Sequence, residues 1–312
     1  MRFLKAICGL AGVAALAVMG FVLLDTPEPV TIARPDLSRS ELADRGEALL
    51  GLAGCVNCHT AKEEGAEPLG GGRPLKTPFG TFYAPNISSD PNEGIGDWSD
   101  EDFVRALRYG RRPDGAHYFP AFPYVAYSRM TDADMLAIRN AIMSRPPVDR
   151  PNTPHDVAFP FNQRWGMGFW KALHFKPGAF EPDPAKSDAW NRGAYISEAL
   201  AHCGECHTPR DPTGGLDRTR WMAGTVDGPE GETAPNITPH SGTGIGDWSD
   251  GDIRFALSDG LLPDGDVVGS VMYEVVENGT SKLPEADLNA IVEYLRSLPP
   301  IENTAAPAAQ GY

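Results

Sequence analysis

Apolar residues recur at helical spacing near the end of the chain. After Pro284 they stand at positions i, i+3, i+4 and i+7, in the order Leu288, Ile291, Val292 and Leu295. This spacing places the four side chains on one face of a helix, which would bury that face against the rest of a domain. Three further helices are predicted, at residues 40–53, 131–143 and 187–201.

Two shorter helices are predicted from matching start and stop signals. Each begins at a serine followed three residues later by an aspartate, a pairing that satisfies free N–H groups of a first turn. Each ends at a glycine, which readily adopts the left-handed conformation that closes a helix. The residues are Ser99, Asp102 and Gly110 in one helix and Ser249, Asp252 and Gly260 in the other. Because no segment alternates convincingly between apolar and polar residues, the predicted fold class is all-α.

The N-terminal residues show a different pattern. Arg2 and Lys5 precede nineteen uncharged, mostly apolar residues at positions 6–24, and Asp25 follows. A run of this length approaches what a helix needs to cross a bilayer, and the positive flank predicts a cytoplasmic N-terminus with the rest exported. A cleaved signal peptide is the alternative, but residues 23–27 contain no small-x-small cleavage site. We therefore expect a retained transmembrane helix.

Length and charge limit the classes of function. The 312 residues suffice for two domains, and 34 Gly with 29 Pro indicate many turns between short elements. The chain holds 27 basic and 42 acidic residues, which gives a formal net charge of −15. Nucleic-acid binding needs a basic face, so we expect no nucleic-acid partner.

Four of the five cysteines form two pairs with the same spacing. The motifs are Cys55-Val-Asn-Cys58-His59 and Cys203-Gly-Glu-Cys206-His207. C-x-x-C-H is the attachment signature of c-type haem. Each thiol adds across one vinyl group to form a thioether, which holds the adjacent histidine under the iron. The two motifs therefore predict two covalently bound haem c groups, with His59 and His207 as iron ligands.

Two other uses of paired cysteines fit less well. A structural zinc could be held by two C-x-x-C pairs, but here the pairs lie about 145 residues apart and a histidine follows each. A redox-active disulfide needs a thioredoxin-like βαβ context, which the sequence lacks. Cys8 lies within the apolar N-terminal run, where we expect it to pack. A third haem of this type is therefore excluded.

The chain repeats itself at an offset of 150 residues. The segment from Ala84 to Gly115 shares Ala-Pro-Asn-Ile, Gly-Ile-Gly-Asp-Trp-Ser-Asp and Pro-Asp-Gly with the segment from Ala234 to Gly265. A period of this length is a domain rather than a solenoid unit, so two copies of one haem-binding domain are predicted. Residues 145–188, between the copies, are rich in proline and aromatic residues and are expected to pack across both domains.

A methionine above the iron would complete each site of an electron carrier, because the thioether favours the reduced state. In the second copy the predicted ligand is Met272, which stands between two predicted helices with no histidine nearby. In the first copy the corresponding loop contains both His117 and Met130. Met130 is favoured there; His117 and an open or differently ligated iron are the alternatives.

Trp98 and Trp248 occupy equivalent places in the repeat. Core packing is expected for both side chains. As an added role, each indole N–H could donate a hydrogen bond to a haem propionate.

Further motifs surround the two cysteine pairs. They include Phe119-Pro-Ala-Phe-Pro-Tyr124, Pro160-Phe-Asn-Gln-Arg164, Trp190-Asn-Arg-Gly-Ala-Tyr195 and His202-Cys-Gly-Glu-Cys-His-Thr-Pro-Arg210. Together these motifs resemble the cytochrome c subunits of bacterial membrane-bound dehydrogenases, which accompany periplasmic alcohol, aldehyde, gluconate or sorbitol dehydrogenases. The resemblance implies class I cytochrome c domains that accept electrons from a catalytic subunit and pass them to quinone, an oxidase or another cytochrome.

The expected architecture is all-α, with two tandem class I cytochrome c domains after an N-terminal transmembrane helix. The expected boundaries are 1–30 for the membrane anchor, 31–148 for the first cytochrome c domain, 149–186 for the packed connector, 187–302 for the second cytochrome c domain and 303–312 for a disordered tail. The expected location is the bacterial inner membrane, with a single pass and the haem domains in the periplasm.

Two departures from the family bear on function. Many relatives carry three haems, which puts direct quinone reduction in doubt for a chain with two motifs. Relatives often have methionine where Phe122 stands, which strengthens Met130 as the substitute ligand. The leading expectation is a membrane-anchored electron carrier without substrate chemistry of its own. The rivals are a di-haem peroxidase or thiosulfate-oxidising enzyme, which would need an open or unusually ligated iron, and a fixed haem subunit of a respiratory assembly.

Overall fold

The computed structural model describes residue 26 and residues 29–308, which form two similar helical units joined by a connector. The first unit contains α1 (Arg39–Leu52), α2 (Cys55–His59), β1 (Pro74–Thr77), β2 (Gly80–Tyr83), α3 (Asp100–Tyr109), α4 (Tyr124–Tyr127) and α5 (Asp132–Met143). The connector contributes β3 (Asp156–Val157) and α6 (Gly166–His174). The second unit contains α7 (Asp188–Tyr195), a π-helical turn (Ile196–Leu200), α8 (Gly204–His207), α9 (Asp250–Ser258), α10 (Ser270–Asn278) and α11 (Glu285–Arg296).

The predicted start signals of the central helices are confirmed. The Ser99 hydroxyl accepts from the Asp102 amide ahead of α3, and Ser249 and Asp252 form the same reciprocal cap ahead of α9. Gly110 closes α3 in the left-handed conformation, with φ of 59°. The predicted apolar stripe of α11 is also buried, as expected for a helix that packs through one face.

The first and last helices of each unit cross at a glycine. A Cβ added at Gly46 on α1 would lie 2.1 Å from the carbonyl oxygen of Ala137 on α5. At Gly193 on α7 it would lie 1.9 Å from the carbonyl oxygen of Ala290 on α11. Only a residue without a side chain allows the two backbones of each pair to approach this closely.

A short sheet corrects the all-α prediction. β1 and β2 pair as an antiparallel hairpin, and β3 from the connector adds antiparallel to β2. Strands of four, four and two residues are too short to show the alternation by which a strand is recognised in sequence. The described residues are therefore mostly helical with a small sheet beside the first unit.

An asparagine in each copy of the Ala-Pro-Asn-Ile motif ties down the chain as it leaves the unit. Asn86 Nδ2 donates to the carbonyl oxygen of Val148 at 2.7 Å, and Asn236 Nδ2 donates to that of Ile301 at 2.7 Å. Both asparagines are buried, with 2% and 0% of their surface exposed. Each amide thus satisfies backbone acceptors that burial would otherwise leave unpaired.

The C-terminal segment differs from the predicted disordered tail. Residues 303–308 lie against the second unit, and Asn303 Nδ2 donates to the carbonyl oxygen of Ala223 at 2.7 Å. The amide of Ala308 donates to the carbonyl oxygen of Thr243 at 3.0 Å, and Ala306 is fully buried. Composition alone suggested disorder, whereas these backbone hydrogen bonds hold the segment; residues 309–312 lie outside the described residues.

The connector contacts both units. The Lys171 ammonium on α6 donates to the carbonyl oxygens of Tyr109 and Gly110 at the end of α3. The Trp170 indole N–H donates to the carbonyl oxygen of Thr213 in the second unit at 3.1 Å. The connector is therefore a packed segment that holds the two units together.

Over the described ranges, none of the helices is long and apolar enough to cross a membrane. The predicted transmembrane helix at positions 6–24 lies outside the described residues.

Candidate functional site

The two C-x-x-C-H motifs form short helices, one just after α1 in the first unit and one just after the π-helical turn that extends α7 in the second. Gly54 precedes α2 in the left-handed conformation, with φ of 67°, and this turn separates Cys55 from the end of α1. In the second unit Cys203 caps α8, which carries Cys206 and His207. One turn of helix places both thiols and the imidazole of each motif close together. Each of these four cysteines is half-buried.

Each histidine of the motifs is oriented by a proline carbonyl. His59 Nδ1 lies 2.7 Å from the carbonyl oxygen of Pro85, and His207 Nδ1 lies 2.7 Å from that of Pro235. A carbonyl oxygen can only accept, so each Nδ1 carries the proton and donates it. Burial lowers the pKa of both histidines, which keeps the rings neutral near pH 7. Each Nε2 therefore presents a lone pair, the form in which imidazole binds a metal.

Burial raises the pKa of the Cys55 thiol to about 12 and that of the Cys203 thiol to about 11. Within the described part of the chain no three His, Cys, Asp or Glu side chains cluster as a metal site. The donor set of two thiols and one neutral, oriented imidazole per motif fits the attachment of a haem through thioethers.

The structure places the candidate sixth ligands in different environments. Met130 is fully buried within the core cluster that also contains Tyr127 and Met135. Met272 lies on α10 and is half-buried. Phe122, which stands at the position equivalent to Met272, packs against Tyr127 with ring centroids 5.6 Å apart. The assignment of Met130 and Met272 as iron ligands stays a prediction.

His117, the alternative ligand, lies beneath the connector. It is 4% exposed, and its carbonyl oxygen accepts a hydrogen bond from the Arg164 guanidinium at 2.9 Å. Its backbone pairs with Arg111 across the loop that follows α3. The structure therefore places His117 in the contact between the first unit and the connector.

Trp98 and Trp248 are both partly buried and pack against the hydrophobic core, which agrees with the expected packing role. An arginine from the last helix of each unit, Arg139 in one and Arg296 in the other, donates to the carbonyl oxygen of Trp98 and Trp248 respectively. The added role of the indole N–H groups toward a haem propionate stays a prediction.

A buried aromatic stack lies between the two motifs. The rings of Tyr127 and His202 stack with centroids 5.3 Å apart and an interplanar angle of 25°. The Tyr127 hydroxyl donates to the carbonyl oxygen of Ala53, two residues before Cys55, while His202 directly precedes Cys203. The stack therefore lies between the C-x-x-C-H motif of the first unit and that of the second. Nothing in the repeat marks His202, because Gly54 precedes the first motif where His202 precedes the second.

A buried arginine also joins the two units beside the first motif. Arg73 is 5% exposed, and its guanidinium donates to the carbonyl oxygen of Asn57 at 2.6 Å, inside the first motif. The same guanidinium binds Glu274 on α10 at 2.5 Å and Glu230 at 2.8 Å. Sequence analysis missed this residue because its partners are 157 and 201 positions away.

Comparison with known proteins finds a relative that matches along nearly the whole chain. The diheme cytochrome c-type protein of Cereibacter sphaeroides is 44% identical over 298 residues, which cover 92% of this chain and 98% of the relative. The family model described as cytochrome c matches residues 43–145.

Longer proteins also match. The fructose dehydrogenase cytochrome subunit of Gluconobacter japonicus is 40% identical over 277 residues, 88% of this chain and 54% of the relative. The gluconate 2-dehydrogenase cytochrome c subunit of Pantoea cypripedii is 36% identical over 275 residues, 84% of this chain and 61% of the relative. This chain therefore matches somewhat more than half the length of these two dehydrogenase subunits.

Proposed function

Because this chain belongs to the family of di-haem c-type cytochromes and carries two covalently bound haem c groups, we propose that it passes electrons from a dehydrogenase to an acceptor of the respiratory chain. The observation that carries the proposal is the pair of C-x-x-C-H helices, each with a neutral histidine oriented by a proline carbonyl. The named functions of the longer relatives support a dehydrogenase as the electron donor.

Haem c supplies a one-electron centre that changes oxidation state without a bond to substrate being made or broken. The residues that would hold the two groups are Cys55, Cys58 and His59 in the first unit and Cys203, Cys206 and His207 in the second. The hydrogen bonds to Pro85 and Pro235 keep each imidazole in one tautomer and one orientation. Met130 and Met272 would close the sixth positions, which leaves no open site for a small substrate.

The interface between the units supports transfer within the molecule. The Tyr127–His202 stack and the Arg73 ion pairs bring the two motifs to opposite sides of one buried contact. Burial keeps the pKa of the Tyr127 phenol well above its usual value, so the ring stays a neutral packing element. A contact of this kind would hold the two haem groups close to each other.

The proposal extends to location. The apolar run at positions 6–24 would anchor the chain in the inner membrane of a bacterium, with both haem units in the periplasm. Quinone, an oxidase or another cytochrome would then accept the electrons.

Stopped-flow mixing with a candidate dehydrogenase and its substrate tests the proposal. We expect rapid reduction of the haems, slowing as ionic strength rises, because an acidic protein attracts the basic docking patch of its partner. Peroxide and thiosulfate assays on the cytochrome alone serve as controls. Turnover of either compound at rates comparable to haem reduction would replace the carrier function with the enzyme function.

A further inference from the structure

The loop after the central helix folds in the same way in the two units. In the first unit the Tyr118 amide donates to the carbonyl oxygen of Gly110 at 2.8 Å, and in the second the Val268 amide donates to that of Gly260 at 2.8 Å. The same backbone bridges close both loops, Arg111 with His117 and Leu261 with Val267. The surfaces formed by these loops are therefore equivalent positions of one fold.

The connector covers this surface in the first unit. The Lys171 ammonium reaches the carbonyl oxygens of Tyr109 and Gly110 at 2.7 and 2.8 Å, at the C-terminal end of α3. Arg164 donates to the carbonyl oxygen of His117 at 2.9 Å. A cation at the negative end of a helix dipole is favourable, and here it also satisfies terminal carbonyl groups.

The equivalent surface of the second unit, formed by Phe255, Leu261 and Val267, is not covered by any of the residues that the structure describes. These side chains are 58%, 46% and 57% exposed, whereas Arg111 and His117 beneath the connector are 9% and 4% exposed. The Leu261 amide bonds to the carbonyl oxygen of Phe255, so the three residues form one patch. We call this patch the second-unit face.

The second-unit face is apolar although it is exposed, whereas exposed surface usually carries polar side chains. Its three residues correspond, 150 positions later in the chain, to Arg105, Arg111 and His117 of the first unit. Arg111 and His117 are thus buried on the connector side of the first unit, whereas the large apolar residues at the equivalent positions of the second unit are exposed. A rimmed apolar patch on a soluble surface indicates a contact with another molecule.

Charge identifies the kind of cover. Residues 250–268 contain five acidic residues and one basic residue, against four of each in residues 100–118. Residues 157–178, which cover the first unit, contain three basic residues, six aromatic residues and no acidic residue. A segment of that composition complements the second-unit face better than it complements the surface it covers within this chain.

We propose that the second-unit face binds a basic, aromatic segment of a partner protein, in the way that the connector covers the first unit. A lysine of the partner would sit on the carbonyl oxygens of Asp259 and Gly260 at the end of α9, and its aromatic side chains would cover Phe255, Leu261 and Val267. Only the identification of the partner as the electron donor rests on the proposed function; the binding surface itself does not depend on it.

Other occupants fit less well. The acidic residues around the face repel an anionic lipid surface. In a second copy of this chain, the segment with the required composition is residues 157–178. Its Lys171 is buried and already donates hydrogen bonds within its own molecule, so it could not also bind the second-unit face.

A peptide with the sequence of residues 157–178 tests the face on the full-length holoprotein. The labelled peptide is titrated by fluorescence anisotropy at low and high salt. We expect saturable binding that weakens with salt and falls at least tenfold in the variant Leu261→Asp/Val267→Asp. The matched control is the variant Val226→Asp. Val226 is 48% exposed in the second unit and lies outside the face, so this variant should bind the peptide as wild type does. A peptide with glutamate in place of its arginine and first lysine should not bind.

Several results would overturn the inference. One is that the wild-type protein shows no saturable binding of the peptide. Another is that the double variant binds the peptide as tightly as wild type, with its haem content and thermal unfolding confirming that it is folded. A wild-type dimer in sedimentation that Val267→Asp dissociates would assign the face to a second copy. Adsorption to anionic vesicles that the same variant abolishes would assign it to lipid. Haem reduction by the dehydrogenase is measured separately, so binding without reduction refutes the proposed function and leaves the face standing.

Discussion

At the scale of single residues, backbone carbonyls determine the chemistry of the two motif histidines. Pro85 and Pro235 accept from Nδ1 of His59 and His207, and the proton on Nδ1 leaves Nε2 free to bind iron. The repeated Ala-Pro-Asn-Ile motif pointed to a shared feature of both units, but its role could not be read from sequence. A contact across 26 or 28 residues depends on how the intervening loop closes.

The sixth ligands give the first prediction. Met272→Ala should abolish the low-spin methionine signature of one haem, and Met130→Ala should abolish that of the other, because each removes a thioether ligand. Absorption and magnetic circular dichroism spectra of the ferric protein measure both signatures. Met222→Leu is the matched control, since Met222 is fully buried and Leu69 has the same left-handed backbone in the first unit.

A different outcome would reassign the first site. If Met130→Ala leaves both spectra intact while His117→Ala changes one, the first haem has two histidine ligands and a markedly lower potential.

At the scale of elements, the helix crossings hold each motif in place. α1 precedes the first motif, and α7 with its π-helical turn precedes the second. Each of the two helices is held against the last helix of its unit by a close backbone contact at glycine. An arginine next to each glycine adds an ion pair across the crossing, with 2.5 Å between Arg45 and Asp134 and 2.6 Å between Arg192 and Asp287. The crossings thereby set the direction from which each motif enters the core.

The second prediction concerns this contact. Gly193→Ala should destabilise the second unit by about 1–3 kcal/mol, because the new methyl group must push α7 away from the carbonyl oxygen of Ala290. Gly251→Ala is the control, since a Cβ there would lie 3.4 Å from the nearest atom, an ordinary contact. Denaturant unfolding of the holoproteins measures the difference. Equal stability of the two variants would contradict a close crossing at Gly193.

At the scale of the whole molecule, ion pairs tie the two units together. Glu230 of the second unit binds Lys62 at 2.9 Å and Arg73 at 2.8 Å, both from the first unit. Burial acts to raise the pKa of Glu230, but hydrogen bonds from Lys62 and Arg73 outweigh it and lower the pKa below the usual 4.5. The carboxylate therefore contributes stability above its unfolded pKa, and that contribution is lost as pH falls through the folded value.

The third prediction follows from that sign. Glu230→Gln should lower the free energy of unfolding by about 1 kcal/mol at pH 7, a modest amount because the pair is only partly buried. The difference from wild type should shrink as pH falls through the lowered folded-state pKa of Glu230, because the wild-type carboxyl group then becomes protonated. Thermal unfolding across an acid pH series measures it, with the exposed Glu302→Gln as control. A difference that stays constant throughout the acid series would show that charge is not the cause.

The fourth prediction concerns attachment to the membrane. The native protein should stay with membranes through a high-salt wash, because salt does not screen the burial of an apolar helix. Replacing residues 1–28 with a cleavable signal should release a soluble di-haem fragment. Quantitative haem staining of membrane and soluble fractions measures both, and release of the native protein by salt alone would contradict the anchor.

The sequence by itself determined the cofactor, the duplicated domain and the helix caps. These properties reside in contiguous residues: C-x-x-C-H, the offset of 150, and the serine–aspartate pairs at Ser99 and Ser249. A motif whose chemistry or hydrogen bonding involves only a few neighbouring residues can be recognised in the sequence without the fold. The resemblance to the cytochrome c subunits pointed to the same cofactor, because its motifs are also contiguous.

Only the tertiary structure decided the short sheet, the docked tail, the Tyr127–His202 stack and the uncovered second-unit face. Most of these features depend on partners far apart in the chain; Tyr127 and His202, for example, are 75 positions apart, and β3 pairs with β2 across a similar separation. The hairpin of β1 and β2 is local, but strands of four residues are too short to show a distinctive pattern. The Pro/Ala-rich tail has no distinctive pattern either, because residues elsewhere in the chain supply its hydrogen bonds. The cover of one unit and the exposure of the other follow from where the connector packs, which only the folded chain specifies.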